Sequence, residues 1–426
     1  MAHTKGRSSR CAFQPRPKKK APVPGPARVA KDPLPAEQRA HYQLLLRMFA
    51  STFAAELAAE DLHSAIQDVK KALYERDFAA AFMNPEGLPS YAARWSPTRA
   101  ACYAGVLAEL ETRALTGAGE DGHEDGRTTG DENADEGGNA DATTESDSAV
   151  VVQRSATPLE IVALGGGAAE LAAVGSLLAQ DPSFAASLTI LDSGPWGSVL
   201  ERLQTGLTTP PALSKYASAS AHAANHALLE EPERLNVRFE QADVLELAAQ
   251  VAAARSTADG AGPGEAGSAE AEAAQAAAAV PDALHAAVYG SATAVPRPVL
   301  VTLLFALNEM YAASRGKTTV LLLALTRLLP VGSLLLVVDS PGSYSEATVG
   351  REMRRYPMKM LLEHTLLREE RGVRKEKAWE LVESQDSVWF RMPDGLEYPI
   401  PLENMRYQKH VYKLVKPESR TNKKSD

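Results

Sequence analysis

The chain has 426 residues, with 45 Lys or Arg against 54 Asp or Glu, and a net charge of −9. Its two cysteines, Cys11 and Cys102, exclude a disulfide framework and have no neighbours at metal-ligand spacing, so a reducing compartment and no metal are expected. No apolar run reaches a membrane span, and the proline-rich basic start lacks the hydrophobic segment of a signal peptide; an intracellular protein with no membrane contact is expected.

Residues 1–35 read as a disordered basic arm. Its first 33 residues hold nine Lys or Arg, six Pro and a single acid, Asp32. Lys18-Lys19-Lys20 reads as a nuclear address. Residues 36–116 read as a helical subdomain, with apolar spacing through Leu44, Leu45, Met48, Phe49, Phe53 and Leu57, then Leu62, Ile66, Val69 and Leu73. Ser96-Pro97 predicts a helix start, Ser as the cap and Pro in the first position, with the helix running to about Arg113. Residues 117–154 read as a disordered acidic insert, where eleven acids from Glu120 to Asp147 face one Arg127. Without those acids and that base, 44 basic and 43 acidic residues remain. The bases cluster in the arm, at Arg351–Lys377 and at Arg406–Lys424, which points to a polyanionic partner, nucleic acid, rather than to solubility alone.

Residues 155–416 predict an α/β domain. Apolar strands are expected at 160–164, 188–192, 236–241, 299–305 and 333–339, with a late pair at 386–392 and 405–415. Helices are expected at 168–180 and 317–329, a low-complexity insertion at 252–294, and a disordered tail at 417–426. An α/β alternation that closes on a strand pair is the class I methyltransferase arrangement, Rossmann-like with a mostly parallel seven-stranded sheet.

The candidate site lies where the first strand turns into its helix, in Glu160-Ile-Val-Ala-Leu-Gly-Gly-Gly-Ala-Ala-Glu170. Gly165, Gly166 and Gly167 allow a tight turn, and Asp192 closes the next strand as a ribose acceptor. A dinucleotide fingerprint has Gly or Ala where this chain has Glu170. A carboxylate in the first helical turn opposes a pyrophosphate but not a sulfonium or an ammonium. S-adenosylmethionine (SAM) is therefore favoured over NAD or FAD, with a ligand-free turn as the bland alternative. Asp243, after the third strand, is the candidate acceptor for the adenine amino group. Asn308 and Glu309 follow the fourth strand, where a helix cap is the competing explanation, and Asp339 to Tyr344 read as a loop near substrate.

Three other readings fail. Gly316-Lys317-Thr318 has no leading strand and no Gly five residues earlier, as a phosphate-binding loop requires. His222 and His226 share an expected Ala-rich helix but lack a third metal ligand. After the fourth strand there is neither an Asp/Asn-Pro-Pro-aromatic tetrapeptide nor a cysteine, which argues against exocyclic amines and pyrimidine carbons as methyl acceptors.

The ordered body resembles the fungal large-subunit ribosomal RNA uridine-N3 methyltransferases. The resemblance rests on Leu73-Tyr-Glu-Arg-Asp-Phe78, Tyr91-Ala-Ala-Arg-Trp-Ser-Pro-Thr-Arg-Ala100 and the Gly165 loop, on Leu300 to Tyr311, on Asp339 to Ser345, and on Asn404-Met-Arg-Tyr407 to Leu414. In the loop, Ala168-Ala169 stand where methyltransferases commonly carry a further glycine. The resemblance implies a SAM-dependent enzyme of ribosome assembly acting on large-subunit rRNA or a pre-ribosomal particle, in the nucleolus. Its chemistry needs an acid–base group rather than a nucleophile, because the uridine N3 is a weak acid. Glu309 is the candidate for proton handling, Asn308 or Tyr311 for orienting the base, and Tyr91, Arg94, Trp95 and Arg99 for closing over the cofactor. The alternatives are methylation of a protein or small molecule, or a SAM-fold assembly factor without turnover.

Overall fold

The computed structural model describes residues 34–110, 158–183, 185–249, 282–290, 297–342, 344–349, 352–367 and 377–416. The basic arm, the acidic insert, most of the 252–294 segment and the tail lie outside these residues.

Five helices precede the sheet: α1 (Ala36–Thr52), α2 (Ala54–Ala58), α3 (Leu62–Glu75), α4 (Phe78–Phe82) and α5 (Leu88–Glu109). The expected start at Ser96-Pro97 is corrected: both lie inside α5, which begins eight residues earlier behind Gly87, with a proline in its first turn. Pro97 lacks the N–H that would bond the carbonyl of Ala93, and the hydroxyl of Tyr398 donates to that carbonyl instead at 2.6 Å. The helix stays intact because its orphaned acceptor has a tertiary donor.

The α/β body then runs β1 (Leu159–Leu164), α6 (Ala168–Gln180), β2 (Ala186–Asp192), α7 (Gly197–Leu207), α8 (Ala219–Ala223), β3 (Leu235–Gln241), α9 (Asp282–Tyr289), β4 (Leu300–Leu304), α10 (Leu307–Ala313), α11 (Arg315–Leu328) and β5 (Leu334–Asp339). A two-stranded hairpin, β6 (Tyr344–Val349) and β7 (Glu352–Pro357), leads into α12 (Met358–Leu367), and β8 (Ala378–Phe390) and β9 (Met405–Val415) finish the sheet. Seven strands pair in the order β3-β2-β1-β4-β5-β9-β8. The first five are parallel, while β9 runs antiparallel between β5 and β8. The order reverses between β1 and β4, which opens a crevice at their carboxyl ends.

Burial explains the parallel half. Every residue of β4 and β5 is buried, so their unbroken apolar runs are covered on both faces. One face packs against α6, α7 and the amino-terminal helices in a core that joins Phe49, Tyr103, Leu171, Ile190, Leu203 and Leu336. The other packs against α9–α12 through residues such as Leu284, Leu321, Leu362 and Tyr412. The helices of residues 36–110 thus share a core with the sheet. Lys409 on β9 is fully buried and bonds Glu109 of α5 and Glu383 of β8, each at 2.8 Å.

Three further expectations change. β8 begins at Ala378 rather than 386 and is mostly exposed, with breaks in register at Leu381/Glu383 and Gln385/Val388. The β6–β7 hairpin and α12 replace an unassigned basic stretch. The helix expected to hold His222 and His226 stops at Ala223, and His226 pairs with Glu230.

Candidate active site

Gly165 turns the chain at the end of β1. Its φ is +69°, and a Cβ there would stand 2.7 Å from the Cβ of Ala306, so the strand ends of β1 and β4 approach only because it is glycine. A Cβ on Gly167 would sit 3.0 Å from the indole of Trp196. A Cβ on Gly166 would stand 2.8 Å from the Cβ of Ala163, so protein packing accounts for all three glycines, and all three line one cavity of about 740 Å³.

That cavity fills the crevice. Its floor is Gly165–Glu170, Asp192 at the end of β2, and Asp243 beyond β3. Phe305 and Glu309 beyond β4 form one wall. The amino-terminal helices roof it with Phe78, Phe82, Tyr91 and Arg99. Tyr91 anchors this roof, 5.2 Å from the ring of Phe82, 5.0 Å from Trp95 and 5.8 Å from Trp196. Arg99 donates to the Tyr91 hydroxyl and lies over the rings of Tyr91 and Phe305, at 5.5 and 5.3 Å.

Glu170 is buried on the first turn of α6, where its Oε2 accepts from the Gly167 N–H at 2.7 Å. The carboxylate therefore occupies the helix N-terminus that a pyrophosphate needs. Burial pushes the Glu170 carboxyl up, opposed by that N–H and by Arg99. Asp192 accepts from the Gly194 N–H at 2.6 Å, and burial lifts its carboxyl to about 7. Asp243 accepts from the Leu245 N–H at 2.8 Å and caps the short helix at 244–249, with its side chain still at the cavity. Burial lifts Glu309 to about 8; Arg99 opposes the shift, and Asp339 and Asp192 add to it.

Not every candidate reaches the cavity. Asn308 uses its backbone N–H on the Asp339 carboxylate at 2.9 Å, and its side chain is not among those lining the cavity. Tyr311 turns its ring into the opposite core, where it is fully buried, since it stands two residues from Glu309 on α10. Tyr91 and Arg99 line the cavity, whereas Arg94 and Trp95 line a smaller one beside it. Lys317 sits in the first turn of α11 and pairs with Glu246, in a helix cap rather than a phosphate loop. Phe78, Phe82, Trp196 and Phe305 have no signal of their own in the sequence, because isolated aromatics read as core. Phe305 has a backbone φ of 61°, a left-handed conformation costing about 1–3 kcal/mol for such a side chain, which clusters at functional sites.

The chemistry of this donor set fits one cofactor class. Four carboxylates and one guanidinium, Arg99, are the charged groups among the described lining residues. They suit a ligand with an ammonium, a sulfonium and ribose hydroxyls, and Glu170 takes the α6 N-terminus that a phosphate would need. A family model for SAM-dependent methyltransferases, Methyltransf_34, matches residues 49–413. The chain belongs to that family. Its cofactor is SAM.

The chain is also 27% identical over 418 residues to the 25S rRNA (uridine(2843)-N(3))-methyltransferase of Saccharomyces cerevisiae, covering 91% of this chain and 89% of the yeast protein. The resemblance carried by the motifs is thereby borne out. Among solved structures, a DUF574 family protein from Streptomyces avermitilis matches with a TM-score of 0.37 and 14% identity, over 86% of this chain and 97% of that one. A SAM-dependent methyltransferase from Methanosarcina mazei matches at 0.29 and 9%, over 61% and 94%. Likeness at that level carries no weight beside the strand order itself.

Proposed function

We propose that this methyltransferase transfers the methyl group to N3 of a uridine in large-subunit ribosomal RNA, during ribosome assembly in the nucleolus. The observation that carries the reading is Glu309: a buried carboxyl, raised to about 8, in the wall of the SAM cavity. The named activity of the yeast relative supports the same acceptor.

Asp192 and Asp243 would hold the ribose and adenine of SAM, and Arg99 would meet the carboxylate of its methionine moiety. When bound, SAM supplies an electrophilic methyl on a sulfonium and leaves as the neutral thioether. The uracil imide is a weak acid, so its N3–H must be lost as the N3–carbon bond forms. Glu309 in its ionised form would accept that proton and so free the N3 lone pair to take the methyl group that bound SAM would supply. A base with an affinity for protons close to that of the imide is well matched to the transfer. N3 lies on the pairing edge, so the uridine must be unpaired or flipped to reach Glu309.

Nucleoside mass spectrometry of large-subunit rRNA tests this. Cells lacking the chain should lose a 3-methyluridine, and the purified protein with SAM should restore it. Unchanged 3-methyluridine in the deletion would sink the reading.

A further inference from the structure

A second cavity, of about 210 Å³, adjoins the first. Arg99 and Phe305 line both, so this pair forms the partition between them. Arg94, Trp95, Asn404 and Arg406 help to form its remaining walls. It is much too small for the ligand of the larger cavity and has the scale of a single base.

Its rim continues onto the β8–β9 face. Arg406 pairs with Trp389 across the two strands, and its guanidinium lies 5.7 Å from the indole centroid. The guanidinium of Arg391 lies 5.4 Å from the same ring. Arg406 is steadied by Ser387, whose Oγ accepts from its Nε at 2.9 Å. Trp389 is 54% exposed, so packing does not account for it. The one acid of the 403–406 segment, Glu403, is held by Arg94 and Lys70. The two arginines beside Trp389 are therefore available to phosphates.

An exposed indole flanked by guanidiniums is the composition that holds unpaired nucleic acid. Any base stacks on the ring, while the cations meet the backbone. We propose that the RNA substrate crosses this face, with a flanking base stacked on Trp389 and the target base entering by way of the smaller cavity, past the Arg99–Phe305 pair that both cavities share, to reach Glu309. This rests on the reading that the acceptor is a uridine in RNA.

The full chain, loaded with SAM, should be titrated with a single-stranded, uridine-containing RNA oligonucleotide at several salt concentrations. Trp389→Ala should weaken RNA binding roughly tenfold, in line with the loss of one stacked base. Trp389→Phe should restore most of it, and neither change should alter SAM affinity. Arg406→Ala should weaken binding and lower the salt slope by about one. RNA affinity unchanged in Trp389→Ala overturns the proposal, as does failure of Trp389→Phe to rescue. If Trp389→Ala binds naked RNA normally but no longer binds pre-ribosomal particles, the platform meets protein and the proposal is wrong. A wild-type enzyme that methylates RNA uridine while Trp389→Ala does so equally removes this inference alone. A wild type that methylates no uridine removes the proposed function and this inference with it.

Discussion

The carboxyl edge of β1–β4 and the β8–β9 face are built from opposite materials. The first is buried, acidic and roofed by aromatic rings, with the single cation Arg99 among its described lining residues. The second is exposed and, around Trp389, basic. Burial at the first edge holds carboxyls near neutrality, where they can exchange protons with a bound ligand. On the second face, solvent screens the charges, which suits them to the proposed RNA contact rather than to acid–base chemistry. Chemistry and recognition can thus be broken separately.

The sharpest separation comes from Glu309. Glu309→Gln keeps shape and hydrogen bonding but cannot take a proton, and should slow methyl transfer by about 10²–10⁴-fold. SAM and RNA affinities should change little. In the wild type, single-turnover rate should rise with pH through about 8 as the carboxyl ionises, and the variant should lose that limb. A variant with the full rate would remove Glu309 from the chemistry.

A smaller effect is expected from Asp192. Asp192→Ala should weaken SAM by about 1–3 kcal/mol, the cost of leaving ribose hydroxyls without their acceptor. The wild-type carboxyl is raised to about 7 by burial, and hydroxyl donors favour its charged form. Binding should therefore release a proton: SAM affinity is constant above about pH 7 and falls below it. Without ligand the sign for folding is the reverse. A carboxyl raised on folding stabilises least when both states are charged, so its contribution is lost as pH climbs from the ordinary carboxylate range to about 7. Calorimetry in buffers of different ionisation enthalpy would show the proton; identical heats would contradict the assignment.

The two regions also differ in how plainly the sequence announces them. β4 and β5 are short apolar runs buried along their whole length and β1 is buried from Ile161 on, while β2 alternates buried and half-buried residues; such patterns need no partner to be recognised. Gly165, Asp192 and Glu309 could be placed because each sits within a few residues of a strand end, where this fold gathers its ligands. Tyr311 misled because distance along the chain says little about direction on a helix: two residues past Glu309 is the opposite face. The first half of β8 was hidden for a different reason. The strand is largely exposed and mixes polar with apolar residues, its register breaks twice, and its pairing with β9 spans a long connection. The Ser96-Pro97 start is a third kind of miss. Proline inside a helix is ordinarily a breaker, and only the distant hydroxyl of Tyr398 lifts that penalty.

That hydroxyl yields the smallest expected effect and the one that links the two regions. Tyr398 lies in the connection between β8 and β9, while Ala93 lies on α5, the helix that carries Tyr91 and Arg99 into the SAM cavity. Tyr398→Phe keeps the ring and removes only the donor, leaving the Ala93 carbonyl unsatisfied behind Pro97. The loss should be about 1 kcal/mol, at the low end for an orphaned acceptor because the site is only partly buried. For a domain of this size that lowers Tm by roughly 2–4 °C. SAM affinity should stay within twofold, because Tyr91 and Arg99 are held by their own ring contacts and by each other. An unchanged Tm would mean that the Pro97 defect is satisfied some other way. A Tm loss accompanied by a large loss of SAM affinity would show that the β8–β9 connection sets the geometry of the cavity roof, and the independence of the two regions would fall.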